Sequence, residues 1–89
     1  MMSPDERSKY VRVQILRLLD QCGSYLLAEQ TLFVQCNMEL APSASTAEFK
    51  SALDSLTALQ AVTSVRGDLG GDLRYKITAQ GRAVLAENI

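Results

Sequence analysis

Residues 73–85 read LRYKITAQGRAVL, and the hydrophobic pattern of this stretch changes its period in the middle. From Leu73 to Ile77 apolar and polar residues alternate, which is typical of a strand with one buried face. Thr78 then stands where a helix N-cap is expected, and Val84 and Leu85 follow as inward-facing residues of a short helix that ends near residue 87. The stretch therefore predicts a strand that passes through one capping residue into a closing helix.

A second strand is predicted immediately before this stretch. The segment Val62–Arg66 is short and rich in β-branched residues, and Gly67–Asp72 is rich in turn-forming residues. Together with the strand at residues 73–77, these segments predict an antiparallel hairpin.

The segment that precedes the hairpin predicts a well-marked helix. Ser45 and Glu48 match the S-x-x-E capping box, in which each side chain satisfies a backbone N–H of the other residue. Helical spacing then continues through Gln60. The apolar residues at this spacing, which we expect to face the core, are Phe49, Ala52, Leu53, Leu56 and Leu59.

The N-terminal half predicts two more helices. Ser3 and Pro4 begin the first one, its apolar face continues to Cys22, and Gly23 ends it. Residues 24–27 are apolar and extended, and their pattern leaves open whether they add a third strand to the hairpin. The second helix is predicted from residue 28 to about residue 38, and a loop follows over residues 40–44.

Both of these helices are expected to be amphipathic. In the second helix the residues predicted to face the core are Leu32, Phe33 and Cys36. In the first helix the residues expected mainly on the solvated side are Arg7, Lys9, Arg12, Arg17 and Asp20.

The order helix, short strand, helix, helix, hairpin, helix predicts a mainly α fold with a small antiparallel β-hairpin, the winged helix-turn-helix. The join made by Ile77, Thr78, Gly81 and Leu85 resembles the strand-to-helix join of many bacterial winged-helix regulators. The chain is broadly similar to ArsR-type and MarR-type bacterial regulators and to small phage-encoded proteins described as ArsR-like. At 89 residues we expect one winged-helix domain, residues 1–89.

The resemblance implies a DNA-binding transcription regulator whose third helix enters the major groove of double-stranded DNA and whose wing contacts the backbone. The candidate DNA-binding residues in and before this helix are Ser43, Ser45, Thr46, Lys50 and Ser51. In the wing they are Arg66, Arg74 and Lys76, which form either a phosphate clamp or a charged face that protects an edge strand. Because one copy offers few phosphate contacts, we expect DNA binding to require a homodimer.

The overall charge favours a different kind of partner. Nine basic and ten acidic residues give a net charge of -1, whereas nucleic-acid-binding proteins usually carry a basic excess. Within the third helix, Asp54 places a negative charge where it would repel phosphates. The alternative hypothesis is therefore a winged-helix module that binds another protein without strong DNA binding.

Catalysis is not predicted, because the sequence has no histidine to act as a general base near neutral pH. The glycines of residues 67–71 belong to the predicted hairpin turn and do not form a phosphate-binding loop between a strand and a helix. We therefore expect no catalytic residues, no cofactor and no enzymatic activity.

The two cysteines, Cys22 and Cys36, are expected to be buried free thiols. They form no CxxC pair, and the sequence has no histidine. The chain therefore lacks the ligands with which ArsR-type metal sensors bind their metal, and no metal site is predicted. The chain has no apolar run of membrane-spanning length and no apolar core of a signal peptide, which predicts a cytoplasmic location.

Overall fold

The computed structural model describes residues 3–23, 25–66 and 73–88 of the chain. Its elements in chain order are α1 (Pro4–Cys22), β1 (Leu27–Ala28), α2 (Glu29–Glu39), α3 (Thr46–Ala58), β2 (Val62–Arg66), β3 (Leu73–Ile77) and α4 (Ala79–Glu87). This order confirms the predicted winged helix-turn-helix, a mainly α fold with a small antiparallel sheet. The predicted hairpin turn, Gly67–Asp72, lies outside the described residues.

The sheet has the strand order β1-β3-β2, and β3 runs antiparallel to both of its neighbours. Leu27 lies opposite Tyr75, so the extended segment after α1 does add a third strand, the possibility that the sequence left open. As side chains alternate between the faces of a strand, Tyr75 and Ile77 point together into the core.

The core is built around one face of α1. The side chains of this face that are at most 1% exposed are Val11, Ile15, Leu16 and Leu19. They meet buried residues from α2, α3, the sheet and α4 in one hydrophobic cluster. Complete burial of a side chain of this size stabilises the fold by about 1.5–3 kcal/mol, so α1 supplies much of the stability that holds the other elements in place.

Both ends of α1 are capped as predicted. The Ser3 hydroxyl accepts a hydrogen bond from the Glu6 N–H at 3.2 Å, and Gly23 donates its N–H to the Asp20 carbonyl at 3.1 Å. Gly23 has φ 63°, a left-handed conformation that glycine adopts without steric cost. Neither α1 nor another helix of the described segments is long and apolar enough to cross a membrane.

The second helix, α2, starts and ends one residue later than predicted. Leu32 and Cys36 are buried as expected, whereas Phe33 is only half-buried and packs edge-on against Phe49, with 5.1 Å between the ring centroids. The apolar residues Val34 and Met38 are exposed on the outside of this helix. α2 therefore packs against the core through a narrow row of buried residues, Leu32 and Cys36.

The two cysteines are free thiols in different surroundings. Burial raises the pKa of the Cys36 thiol to about 11, so this thiol is protonated and unreactive at neutral pH. Cys22, which we expected to be buried, is half-buried at the end of α1. No group of three His, Cys, Asp or Glu side chains in the described part of the chain is arranged to hold a metal ion.

The third helix, α3, ends at Ala58, two residues before the predicted end. Gln60 follows with φ 60°, its N–H bonds to the Thr57 carbonyl, and the Ala61 N–H bonds to the Leu56 carbonyl at 2.9 Å. These two bonds form a Schellman motif, which terminates a helix by turning the chain into the left-handed region. The turn leaves Leu59 56% exposed, so the prediction that Leu59 belongs to the core is wrong.

The end of α3 is tied to the start of α4 through Thr78. The Thr78 hydroxyl donates to the Gln60 carbonyl at 2.6 Å and accepts from the Gly81 N–H at 3.0 Å, which confirms the predicted N-cap. The Thr78 N–H donates to the Ala61 carbonyl at 3.0 Å. A Cβ atom on Gly81 would collide with this same Ala61 carbonyl and would lie 2.7 Å from Ile77 Cγ1. Glycine is therefore required here by close packing of α4 against the chain after α3.

Candidate nucleic-acid interface

The first turn of α3 is exposed, and Ser45 organises its backbone donors. The Ser45 hydroxyl accepts a hydrogen bond from the Glu48 N–H at 3.1 Å, as predicted for an N-cap residue. The first backbone bond of the helix runs from the Phe49 N–H to the Ser45 carbonyl at 2.9 Å. The N–H groups of Thr46 and Ala47 have no partner within the helix, so this end of α3 offers free donors to an anion.

The Glu48 carboxylate does not complete the predicted capping box but binds Arg7 of α1. Arg7 Nε donates to Glu48 Oε2 at 3.0 Å and Arg7 Nη2 donates to Glu48 Oε1 at 3.2 Å, a bidentate pair. These hydrogen bonds raise the pKa of the Arg7 guanidinium and lower the pKa of the Glu48 carboxyl, although partial burial opposes both shifts. Arg7 is therefore half-buried in a contact between helices. The prediction that it lies on the solvated side of α1 is wrong.

The loop between α2 and α3 is held from two sides. The Asn37 side chain accepts a hydrogen bond from the Ala44 N–H at 2.8 Å and donates one to the Ala44 carbonyl at 3.2 Å. From the other side, Arg7 Nη2 donates to the Pro42 carbonyl at 2.6 Å. Ser43 lies between these anchored residues and is exposed, so its hydroxyl is carried by a fixed surface segment.

The other predicted residues of α3 lie on two sides of its exposed face. Thr46 and Lys50 line a groove of about 320 Å³ between the starts of α2 and α3, together with Glu29. Ser51 lines a smaller groove of about 90 Å³ between α1 and α3, beside Arg12. Lys50 and Ser51 lie on different sides because consecutive residues are about 100° apart around a helix. The structure thus brings Lys50 together with Thr46, and places Ser51 nearer to α1.

The wing, defined as β2 and β3, presents two of its three predicted cations on one face. Arg74 and Lys76 are exposed and alternate with the buried residues of β3, so they project from the outer face of the sheet. The register places Lys76 opposite Thr63 and Arg74 opposite Val65 on that face. Arg66 lies opposite Leu73, which puts it on the other face of the hairpin. The predicted cluster of three cations is therefore a pair on the outer face and a separate Arg66.

The candidate cations are not engaged in ion pairs within the described residues. The ion pairs there are Arg7 with Glu48 at 3.0 Å and Arg82 with Asp20 at 3.3 Å. Lys50, Arg66, Arg74 and Lys76 are all exposed. Because Arg7 neutralises Glu48, the negative charge that remains on α3 is that of Asp54, and Lys50 balances it.

Two carboxylates lie near the place where the wing meets the helices. The pKa of the Tyr75 phenol is raised mainly by burial, and the charges of Glu29 and Asp54 raise it further. Asp54 was recognised in the sequence as a residue that opposes phosphate binding, whereas Glu29 was not. Both carboxylates weaken the attraction of this surface for a polyanion.

Sequence reasoning missed the part that Arg7 plays at this surface. Arg7 and Glu48 are 41 positions apart, and a single sequence carries no local pattern that pairs residues over such a distance. The spacing within α1 indicated only that Arg7 lies outside the buried stripe. The missing information was the angle at which α1 crosses the start of α3.

No protein-family model matches the chain, and no curated protein sequence matches it. Solved structures do resemble it. A transcriptional regulator from Clostridium thermocellum superposes with a TM-score of 0.80 at 19% sequence identity, over 99% of this chain and 84% of that one. A PadR-like transcription factor from Bacteroides fragilis superposes with a TM-score of 0.69 at 19% identity, over 92% of this chain and 79% of that one.

A candidate transcriptional regulator from Thermoplasma acidophilum gives a TM-score of 0.73 at 16% identity, over 97% of this chain and 81% of that one. One of the three structures is described as PadR-like, and the predicted resemblance to ArsR-type or MarR-type proteins in particular stays a prediction. At these identities the similarity concerns the fold. The chain therefore has the winged-helix fold, and shares it with proteins described as transcriptional regulators.

Proposed function

We propose that this chain is a DNA-binding transcription regulator of bacterial or phage type, with α3 in the major groove and the wing on the sugar–phosphate backbone. The observation that carries the proposal is the exposed pair Arg74 and Lys76 on the outer face of a wing that follows a capped, exposed α3. The similarity of the whole fold to the folds of proteins described as transcriptional regulators supports the same proposal.

The start of α3 would supply the contacts that position the helix. Free N–H groups at a helix N-terminus and the helix dipole attract a phosphate, and the hydroxyls of Ser43, Ser45, Thr46 and Ser51 add further donors. Lys50 projects from the next turn of the helix and can donate to a phosphate or to a guanine edge. The anchored loop before α3 lowers the entropy cost of these contacts, because the donors are already in place.

The wing would supply a second, sequence-independent contact. Arg74 and Lys76 stand two residues apart on one strand, which separates their backbone positions by about 7 Å. This spacing is close to the distance between successive phosphates along one DNA strand. We propose that these two cations bind neighbouring phosphates, while Arg66 on the opposite face contacts DNA independently of them.

The number of available cations limits the affinity of one copy. If Lys50 and the three wing cations each neutralise one phosphate, the slope of log K against log salt is roughly −3 to −4. A monomer with this slope binds weakly at physiological salt. We therefore propose that the chain acts on DNA as a homodimer, for which the slope is about twice as large.

A titration of a fluorescent mixed-sequence DNA duplex at about 50 mM and about 200 mM salt tests the proposal. We expect salt-sensitive binding, and we expect the R74A/K76A variant to reduce the magnitude of the slope by roughly 2 for each copy bound. The charge-matched control is K9A/R17A, which removes two cations from the exposed side of α1. The proposal is wrong if no duplex binds in a salt-sensitive way, and the wing assignment is wrong if both variants weaken binding equally.

One observation favours the alternative of a protein-binding module. Val34 and Met38 are exposed, Met38 at 78%, and their spacing of four residues places them side by side on the outside of α2. An exposed apolar pair of this kind suits contact with another protein. In that case salt-sensitive DNA binding is absent, and the V34S/M38S variant loses the protein partner while its fold stays intact.

A further inference from the structure

Glu29 places a carboxylate within the surface that we propose for DNA. It is the first residue of α2 and directly follows Ala28, which lies opposite Arg74 of the wing. It is half-buried and lines the groove of about 320 Å³ between the starts of α2 and α3, together with Lys50 and Thr46. Glu29 is therefore next to both parts of the proposed interface, the wing and the first turns of α3.

The surroundings of Tyr75 place the Glu29 carboxylate at the same junction. Tyr75 lies on β3, and its phenol has a pKa that is raised mainly by burial and further by the charges of Glu29 and Asp54. A carboxylate acts on a neighbouring group in this way only over a short distance, because water and salt screen it farther away. Glu29 and Asp54 thus lie on two sides of the place where the wing meets the helices.

The two carboxylates differ in their relation to Lys50. Asp54 follows Lys50 by four residues on α3, so it belongs to the same exposed side of that helix. Glu29 approaches Lys50 from α2, across the groove, and the ion pairs found among the described residues include neither of them. The groove therefore offers an acceptor and a donor that come from two different helices.

A carboxylate at a DNA-binding surface repels phosphates, but it suits the edge of a base. In the major groove guanine presents two acceptors, N7 and O6, and its partner cytosine presents the N4 amino group as a donor. Lysine donates to N7 and O6 of guanine, and glutamate accepts from N4 of cytosine. Lys50 and Glu29, which line one groove, thus match the two bases of one G·C pair.

We infer that Glu29 is a specificity-determining residue, an inference that rests on the proposed DNA-binding function. Its carboxylate accepts a hydrogen bond from the amino group of a cytosine in the major groove, while Lys50 donates to the guanine of the same base pair. Guanine or thymine at the cytosine position would turn an acceptor toward the carboxylate, and such sites are rejected. The wing cations and the start of α3 supply affinity, and Glu29 supplies selectivity.

Selection of bound duplexes from a library with a randomised centre, at about 50 mM salt and followed by sequencing, tests the inference. We expect the unmodified protein to prefer a G·C pair at one position by at least about fivefold. Because glutamine pairs with adenine, the E29Q variant is expected to lose the preference for cytosine at that position and to gain one for adenine. The K50M variant is expected to lose the preference for guanine there.

The matched control is D54N, which removes the same charge from the same junction. On a mixed-sequence duplex we expect D54N and E29Q both to bind more tightly than the unmodified protein, because each removes a charge that repels phosphates. D54N is expected to keep the base preference.

Three outcomes overturn the inference. If DNA binds but E29Q selects the same bases as the unmodified protein, Glu29 does not read the sequence, and the proposed function stands without it. A lower Tm of E29Q with unchanged base preference assigns Glu29 to the stability of the start of α2. If no duplex binds in a salt-sensitive way, the inference fails together with the proposed function.

Discussion

At the scale of single residues, Glu48 makes one contact within the start of α3 and another with α1. Its N–H is capped by Ser45, and its carboxylate accepts two hydrogen bonds from Arg7. The capping pattern in the sequence predicted the first contact, because that contact lies within three residues. The second contact depends on the packing of two helices, which the pattern does not contain.

We expect E48Q to lower the free energy of unfolding by about 1 kcal/mol at pH 7, since it removes the charge from a half-buried bidentate pair. The Arg7 contact lowers the pKa of Glu48 in the folded protein, so the folded state binds this proton more weakly than the unfolded state. The stabilisation is therefore complete above the unfolded pKa of about 4.3 and is lost as the pH falls through the lower folded value. Urea denaturation of both proteins at pH 7 and at about pH 3 measures the loss.

The matched control for this prediction is D20N, which breaks the exposed pair of Asp20 with Arg82. We expect its effect at pH 7 to be a few tenths of a kcal/mol, because both side chains are about half exposed and screened by water. An E48Q effect that does not shrink as the pH falls would contradict the role assigned to the Arg7 contact.

Gly81 is fixed by close packing, and this gives a second residue-scale prediction. A Cβ atom at this position meets the Ala61 carbonyl and Ile77, and a backbone carbonyl cannot move aside without disturbing the bond that it accepts from Thr78. We expect G81A to lower the Tm and to cost about 1–3 kcal/mol of stability. The exposed neighbour Gln80 provides the control, since Q80A should change the stability by less than about 0.5 kcal/mol. A G81A protein as stable as the wild type would show that α4 packs less closely than described.

At the scale of elements, the helix ends were predicted best where local chemistry decides them. Ser3, Ser45 and Thr78 each cap a helix by accepting a hydrogen bond from an N–H three residues ahead. The end of α3 was misjudged, because Gln60 takes the left-handed conformation that normally signals glycine or asparagine. The strand β1 was left open because two residues carry no periodicity, and pairing with β3 decides their conformation.

The left-handed Gln60 leads to a prediction for α3. A non-glycine residue in this conformation costs roughly 1–2 kcal/mol, and the larger flexibility of glycine in the unfolded chain cancels part of the gain. We expect Q60G to raise the free energy of unfolding by about 0.5–1 kcal/mol in chemical denaturation. Its control is L59G, at a position with φ -80°, where glycine is expected to destabilise. A destabilised Q60G protein would contradict the Schellman termination.

At the scale of the whole molecule, the distribution of charge matters more than its sum. The net charge of -1 argues against DNA binding, but Arg7 and Arg82 neutralise one carboxylate each, and the wing carries Arg74 and Lys76 on its outer face. Which cations share a face depends on the strand register, and the register separates Arg66 from Arg74. The class of fold was therefore predictable from periodicity and caps, while the shape of the charged surface required the three-dimensional arrangement.

The burial of Gln14 in α1 shows the same limit of prediction. The helical pattern of α1 identified its apolar residues, and Gln14 lay beside that stripe without any signal that it is buried. Gln14 is 8% exposed in the structure, and its burial depends on how the other elements pack against α1. The burial of a polar residue by packing between elements is therefore missed by sequence patterns.

The central claim, that the start of α3 and the outer face of the wing bind double-stranded DNA, is tested most directly by mapping the contact surface. NMR chemical-shift changes are measured on the ¹⁵N-labelled protein during titration with a short DNA duplex at low salt. We expect the largest changes at residues 43–51, 63–66 and 74–76, and little change over the exposed side of α1. Absence of changes, or changes concentrated on α1 and the outside of α2, would contradict the account.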